Sequence, residues 1–303
     1  MSERQTLTAP STVMDEFGGA VDWLASEGLI IVSDLTLNFF HESLFDYVYA
    51  RSFIKGSQST LDLLLSTEQH LFRRTQIRQI LTMMREADPT KYLEQLQNLL
   101  TSNKVRTHLK MSVAQWLNSI PEPTIEELRL IRKIYLEGDL TIYERIILLQ
   151  SSNWFELLNS EGIPLKWLDS ENHFRQRIVR NWLSNIAGQY PSEIADIMRL
   201  WWANDPKKAD TLVEWFGFLR RNKPDDDLLI LCDDVIKSKP PNLFIEDGRD
   251  RTMMLLHSWV DHNPEKCGKM VASLFGAWFE MHPEANLLSR DDYKLLDLSL
   301  IHI

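Results

Sequence analysis

The stretch Gly28–Phe53, GLIIVSDLTLNFFHESLFDYVYARSF, limits the folds open to this chain more than any other. Two short apolar runs, Leu29–Val32 and Leu35–Phe40, flank the turn-forming pair Ser33-Asp34 and predict a β-hairpin. The second run passes without a turn residue into FFHESLFDYVYARSF. There Leu44, Tyr47, Val48 and Arg51 recur at helical spacing, as do Phe45, Tyr49 and Phe53, which predicts a helix. Because apolar residues occupy more than one face, that helix is expected to be mostly buried. Upstream, Gly19–Glu27 carries Ala20, Trp23 and Leu24 on one helical face and stops at Gly28, a residue suited to the position just past a helix end. Helix, hairpin and helix in this order make a winged-helix-like unit.

Strand signals are absent after Phe53, and the remainder reads as helices. Lys55–Ser59 (KGSQS) is a polar break with Gly56 as a helix stop, and it marks a domain boundary. The predicted helices are Thr60–His70, Phe72–Glu86, Thr90–Leu100, one carrying Val105, Leu109, Val113, Trp116, Leu117 and Ile120, then Thr124–Glu137, Tyr143–Gln150 and Trp154–Asn159. Thr124 followed by Glu127 is a capping-box pattern. Gly162-Ile163-Pro164 reads as a turn. Beyond it come Phe174–Ala187, Ser192–Ala203, Lys208–Arg221, Leu228–Lys237, Arg251–Asp261, Lys266–Met281 and a fragment from Asp291.

A polar residue followed by proline recurs at Asp88-Pro89, Tyr190-Pro191, Asp205-Pro206 and Asn263-Pro264, where proline suits a first helical turn. Arg78, Leu81, Met84 and Pro89 align with Arg180, Leu183, Ile186 and Pro191, an offset of about three units of roughly 34 residues. The expected fold is therefore mainly α: a small winged-helix-like unit with one β-hairpin over residues 1–55, then an irregular α-solenoid of helix pairs, HEAT- or TPR-like, over 56–297.

Composition narrows function. A net charge of −10 and a pI near 5.3 make a poor reader of phosphate backbones, so nucleic acid is not an expected partner and a winged-helix transcription regulator is disfavoured. No apolar run reaches the roughly 18–20 residues that a membrane helix needs. Cys232 and Cys267 form neither a disulfide framework nor a metal spacing, which suits a reducing, cytoplasmic setting.

The run Phe39-Phe40-His41-Glu42-Ser43-Leu44-Phe45-Asp46-Tyr47, followed by Ala50-Arg51, resembles the end of the winged-helix domain of STAND NTPases, the signal-transducing ATPases of the NACHT and related AAA-like groups. The resemblance continues into Leu71–Leu81 and Arg106–Lys110, which look like the helical region behind that domain in bacterial proteins of this class. It covers about the first 120 residues. It implies that His41 contacts the β-phosphate of ADP and holds a closed state, with ATP or ADP and Mg bound by an upstream NTPase domain of the same protein. It further implies an unknown protein trigger, oligomerisation on activation, and a role in bacterial signalling or antiviral defence.

The residues themselves allow alternatives. His41 at a strand-to-helix junction suits an anion neighbour, and a neutral imidazole can donate one hydrogen bond to a phosphate. It could equally be half-buried, packing on Phe39 and Tyr47. No GxxxxGK[ST] sequence and no acidic strand end of Walker B type is present, so the chain as given is expected neither to hydrolyse ATP nor to hold a cofactor. His41-Glu42 lacks the second histidine of a zinc-protease motif, since Phe45 stands there. Asp225-Asp226-Asp227 and Asp233-Asp234 lack the glycine and glutamate of a calcium loop and read as acids at a solvated helix start. His257, His262 and Cys267 are close in sequence but too few for a metal site. Arg73, Arg74, Arg78 and Arg85 form a basic stripe, either solvated or paired with acids of a neighbouring domain. Trp201, Trp202, Trp215 and Phe216 read as core between repeats.

Both ends look cut. Met1–Leu7 reads as the tail of a longer helix. Leu298–Ile303 (LSLIHI) matches one reading frame of a transposon-derived sequencing adapter and is set aside from the fold. The two functions in view are the regulatory and sensor portion of a STAND ATPase and a free-standing helical-repeat scaffold for protein–protein interaction.

Overall fold

The computed structural model describes residues 8–66, 68–135, 142–220 and 225–281. The expectations about Met1–Leu7, about a helical fragment from Asp291 and about residues 298–303 fall outside them. The described chain is mainly helical with one small three-stranded antiparallel sheet. It divides into two compact units, Met1–Trp154 and Phe155–Ile303. The boundary expected at Gly56 lies inside the first unit.

The first unit opens with β1 (Thr8–Pro10), a 3-10 turn over Ser11–Phe17 and α1 (Gly18–Ser26), then β2 (Ile30–Ser33), β3 (Thr36–Phe39) and α2 (Glu42–Ile54). Sheet order is β1-β3-β2, with Ser33 opposite Thr36 across a loop of Asp34 and Leu35. The hairpin turn thus sits one residue beyond the predicted Ser33-Asp34 pair. Gly28 takes a left-handed φ of 69°. The Leu29 N–H donates to the Leu24 carbonyl at 2.9 Å and the Gly28 N–H to that of Ala25 at 3.0 Å, a Schellman closure that turns α1 into β2. Strand β1 has no counterpart among the sequence expectations; its three residues are too few for a periodic signal and include proline.

Helix α2 corrects one expectation. It buries a single stripe of Phe45, Asp46, Ala50 and Phe53, while Tyr47 and Val48 are 42% and 44% exposed. Phe45 makes an edge contact with Phe39 at 5.5 Å between centroids and lies 6.0 Å from Phe72.

Paired helices follow: α3 (Thr60–Leu65), α4 (Arg73–Ala87), α5 (Pro89–Thr101), α6 (Thr107–Asn118), α7 (Ile125–Tyr135) and α8 (Ile142–Leu148). Helices α2, α4, α6 and α8 touch in succession along one row, and α3, α5 and α7 along a second. Polar ties cross between these helices and the loops joining them. Gln95 Oε1 accepts from the Thr60 N–H at 2.8 Å, the Tyr92 hydroxyl donates to Glu127 at 2.7 Å, and the Gln69 amide donates to the Lys104 carbonyl at 2.9 Å, each pair 35 residues apart.

The capping box at Thr124 is formed. The Thr124 N–H reaches Glu127 Oε2 at 2.8 Å, and the Glu127 N–H reaches Thr124 Oγ1 at 3.3 Å.

The second unit holds α9 (Phe155–Ser160), α10 (Ile163–Leu168), α11 (His173–Ile186), α12 (Pro191–Ala203), α13 (Lys208–Leu219), α14 (Asp226–Lys237), α15 (Glu246–Trp259) and α16 (Pro264–Met281). Here α11, α13 and α15 succeed one another in one row and α10, α12, α14 and α16 in the other. Helix α10 occupies the segment expected as a turn: Gly162 supplies a left-handed φ of 64° before it, and Pro164 falls in the first turn, where its missing N–H costs nothing. Buried tryptophans tie successive members of a row together. The Trp201 indole donates to the Leu168 carbonyl at 3.0 Å, 33 residues earlier, and that of Trp215 to the Arg180 carbonyl at 2.9 Å, 35 residues earlier. In the first unit Trp154 does the same to Leu117 at 3.1 Å. Leu168 is the last residue of α10, so the Trp201 indole satisfies a carbonyl that the helix end leaves without a backbone partner, whereas the Leu117 carbonyl near the end of α6 also accepts from the Ile120 N–H at 3.3 Å.

Trp201, Trp215 and Phe216 are core, and Trp202 is half-buried. No helix of the described residues is long and apolar enough to cross a membrane.

Candidate functional site at the strand-to-helix corner

The corner where β3 passes into α2 brings together most of the residues singled out in the sequence. The Phe40 N–H donates to the Leu29 carbonyl at 3.1 Å, closing the hairpin base. His41 follows in extended conformation (φ −140°, ψ 141°) as the N-cap of α2. Its Nδ1 accepts from the Ser43 N–H at 3.2 Å and lies 2.7 Å from Ser43 Oγ. With Nδ1 occupied as acceptor, the neutral ring carries its proton on Nε2. His41 is exposed, so Nε2–H is open to an acceptor from outside. The alternative of a half-buried ring packed on Phe39 and Tyr47 is not what the corner contains.

The motif divides between two surfaces. Phe39 and Phe45 pack inward, Phe40 is 66% exposed, and Tyr47 and Arg51 lie on the outer face of α2. Asp46 points the other way. It is 1% exposed, and neither carboxylate oxygen has a hydrogen-bond partner. Burial, then the nearby Glu42, push its carboxyl up to about 6, against the pull of Arg78 on α4. A carboxyl in this setting resists ionisation, and its electrostatic partner sits on the helix against which α2 packs.

The four arginines of α4 do not form one solvated face. Arg73 is buried, with Nη1 2.5 Å from Gln76 Oε1. Arg74 is half-buried toward α6, and Arg78 is exposed. Arg85 makes a two-pronged pair with Glu127, Nε to Oε1 at 2.7 Å and Nη2 to Oε2 at 3.1 Å, inside the same unit. For Glu127, burial pushes the carboxyl up, but bonds from Arg85, the Thr124 N–H and Tyr92 together outweigh it and hold it below its usual value.

The remaining candidates are placed as follows. Asp225 caps α14 through the Asp227 N–H at 2.9 Å, and Asp226 pairs with Lys266 at 3.0 Å, which is the helix-start arrangement. Cys232 and Cys267 are buried free thiols. Burial raises both, Cys267 to about 11, so neither is a ready thiolate. Among the described residues, no three His, Cys, Asp or Glu side chains converge as metal ligands. Two features escaped sequence reasoning: the burial of Asp46, which spacing alone leaves undirected, and a basic cleft beside α6. The second had a signal, the run Lys104, Arg106, His108 and Lys110 in an acidic chain.

No known family, curated protein or solved structure matches the chain.

Proposed function

We propose that this chain is the regulatory and sensor portion of a STAND-type signalling ATPase, in which the winged-helix-like corner reports nucleotide state and the paired helices recognise a partner. The observation that carries the reading is His41: an exposed N-cap whose Nδ1 is fixed by Ser43 and whose Nε2–H is free. A phosphate bound by an adjacent nucleotide domain would accept that hydrogen bond in one nucleotide state and lose it in another, giving the differential interaction that a switch requires. ATP or ADP with Mg would be held by that domain. The packing of α2 on α4 supplies the route from the corner to the helices behind it. Those helices are read here as an α-solenoid of pairs with a period near 35 residues, supported by the two rows and the recurrent ties within each unit.

A second reading, a free-standing helical-repeat scaffold, is favoured by the chain's division. Residues 8–55 belong to the same compact unit as the helices that follow, as an end cap would. The coding sequence at its native locus separates the two. An in-frame phosphate-loop domain immediately upstream is expected, and an authentic start at Met1 would refute the first reading. In the protein carrying that domain, His41→Ala is expected to raise basal signalling; unchanged activity would mean that the ring serves only as a cap.

A further inference from the structure

Beside the start of α6, a cleft of about 760 Å³ is lined by Arg74 of α4 and by Lys104, Val105, Arg106, His108 and Met111. No carboxylate lines it, although the chain as a whole carries a net charge of −10. Arg74, Lys104 and Arg106 enter no ion pair among the described residues, and the buried Nε of Arg74 has no acceptor. Burial, then Arg74 and Arg106, hold the His108 imidazole below its usual value, so both guanidinium groups act on the same small volume.

The backbone is arranged in the same sense. Arg106, the N-cap of α6, offers no side-chain cap. The Gln69 amide pins the loop from behind, donating to the Lys104 carbonyl at 2.9 Å and accepting from the Arg106 N–H at 2.8 Å. The Leu109 N–H turns back to the Arg106 carbonyl at 3.0 Å. The N–H groups of Thr107 and His108 are left pointing out of the first turn, where the helix dipole favours negative charge.

We propose that this cleft binds a small phosphate ester. Its phosphate would take the Thr107 and His108 N–H groups together with Arg74, Lys104 and Arg106. Val105 and Met111 line the same depression and offer an apolar floor for an organic group beside the phosphate. The site lies on α4 and α6, apart from His41, and does not depend on the nucleotide-reporting role of that residue.

The test titrates the full chain with inorganic phosphate and with AMP, by calorimetry and by ³¹P line width, at low and moderate salt. Both are expected to bind, AMP more tightly, with affinity falling as salt rises. Arg74→Gln is expected to weaken both by about tenfold or more. Should Arg74→Gln lower the melting temperature, Lys104→Gln with Arg106→Gln, on the exposed rim, is read instead. Absence of binding at about 10 mM ligand, or affinities unchanged in both variants, overturns the site. Equal affinity for phosphate and AMP overturns the assignment of an ester.

Discussion

Replacing Glu127 by alanine tests the packing of the first unit at its most concentrated point. The carboxylate is fully buried and accepts from Arg85 twice, from the Tyr92 hydroxyl at 2.7 Å and from the Thr124 N–H at 2.8 Å. It therefore ties α4, α5 and the cap of α7 through one side chain. Removing one partner of a buried, hydrogen-bonded ion pair costs about 3–5 kcal/mol. The Arg85 side chain keeps 25% of its surface in solvent and can rehydrate in part, which places the expected loss near the lower end, about 3 kcal/mol. Urea unfolding of the whole chain, followed by far-UV circular dichroism at pH 7, measures it. The carboxyl is held below its usual value, so its contribution is complete above the unfolded value near 4.5 and disappears as pH falls through the folded value. The difference between wild type and Glu127→Ala should accordingly shrink in acid. A loss under about 1 kcal/mol at pH 7, the range of an exposed pair, would refute the claim that these four donors converge on a buried charge.

Asp46 carries the opposite sign. Its carboxyl is raised to about 6, so holding it ionised opposes folding above that pH, and the penalty vanishes below the ordinary aspartate value of 3.8. Asp46→Asn should raise the melting temperature at pH 8 and leave it unchanged at pH 3.5; equal effects at both would show that the carboxyl is hydrated. Gly248 sits in α15 where an added Cβ would lie 1.8 Å from the Asn242 carbonyl oxygen. Gly248→Ala is expected to destabilise by about 1–3 kcal/mol in urea, and a neutral result would mean that the Pro241–Leu243 turn is not seated on the helix. Trp201→Phe removes the donor to the Leu168 carbonyl and should cost about 1–3 kcal/mol in the same assay; less than about 0.5 would reduce that indole to space filling.

Much of the architecture was legible because helix ends carry local chemistry. Gly28, Thr124 with Glu127 and the prolines after Asp88, Tyr190 and Asn263 each mark an end that the structure forms. A few aligned positions suggest a spacing near 34 residues, and several indole hydrogen bonds join residues 33–37 apart. Where the reading slipped, two rules competed. Gly162-Ile163-Pro164 satisfies turn chemistry and helix-start chemistry equally, and only the burial of Ile163, Trp167 and Leu168 decides between them.

Helix α2 exposes the deeper limit. Its sequence carries two stripes at helical spacing, and spacing cannot say which one faces the protein. Hydrophobicity would choose the face with Leu44, Tyr47 and Val48, yet the buried face includes Asp46. The direction is set by α4, some 20 residues further on, whose Arg78 partly offsets the acid, and by the aromatic contacts of Phe45 with Phe39 and Phe72. Once that face is committed, His41 is carried to the opposite surface and fixed there by Ser43. The same turn of helix thus places an acid that resists ionisation inside and an imidazole with a free N–H outside. Under the proposed function, a ligand that draws on His41 pulls on a helix whose inner face holds a buried acid without a hydrogen-bond partner. That is where a small input could shift a packing equilibrium. Asp46→Asn would remove that tension without touching His41, so an altered nucleotide response in that variant, with the His41 cap intact, would connect the two faces.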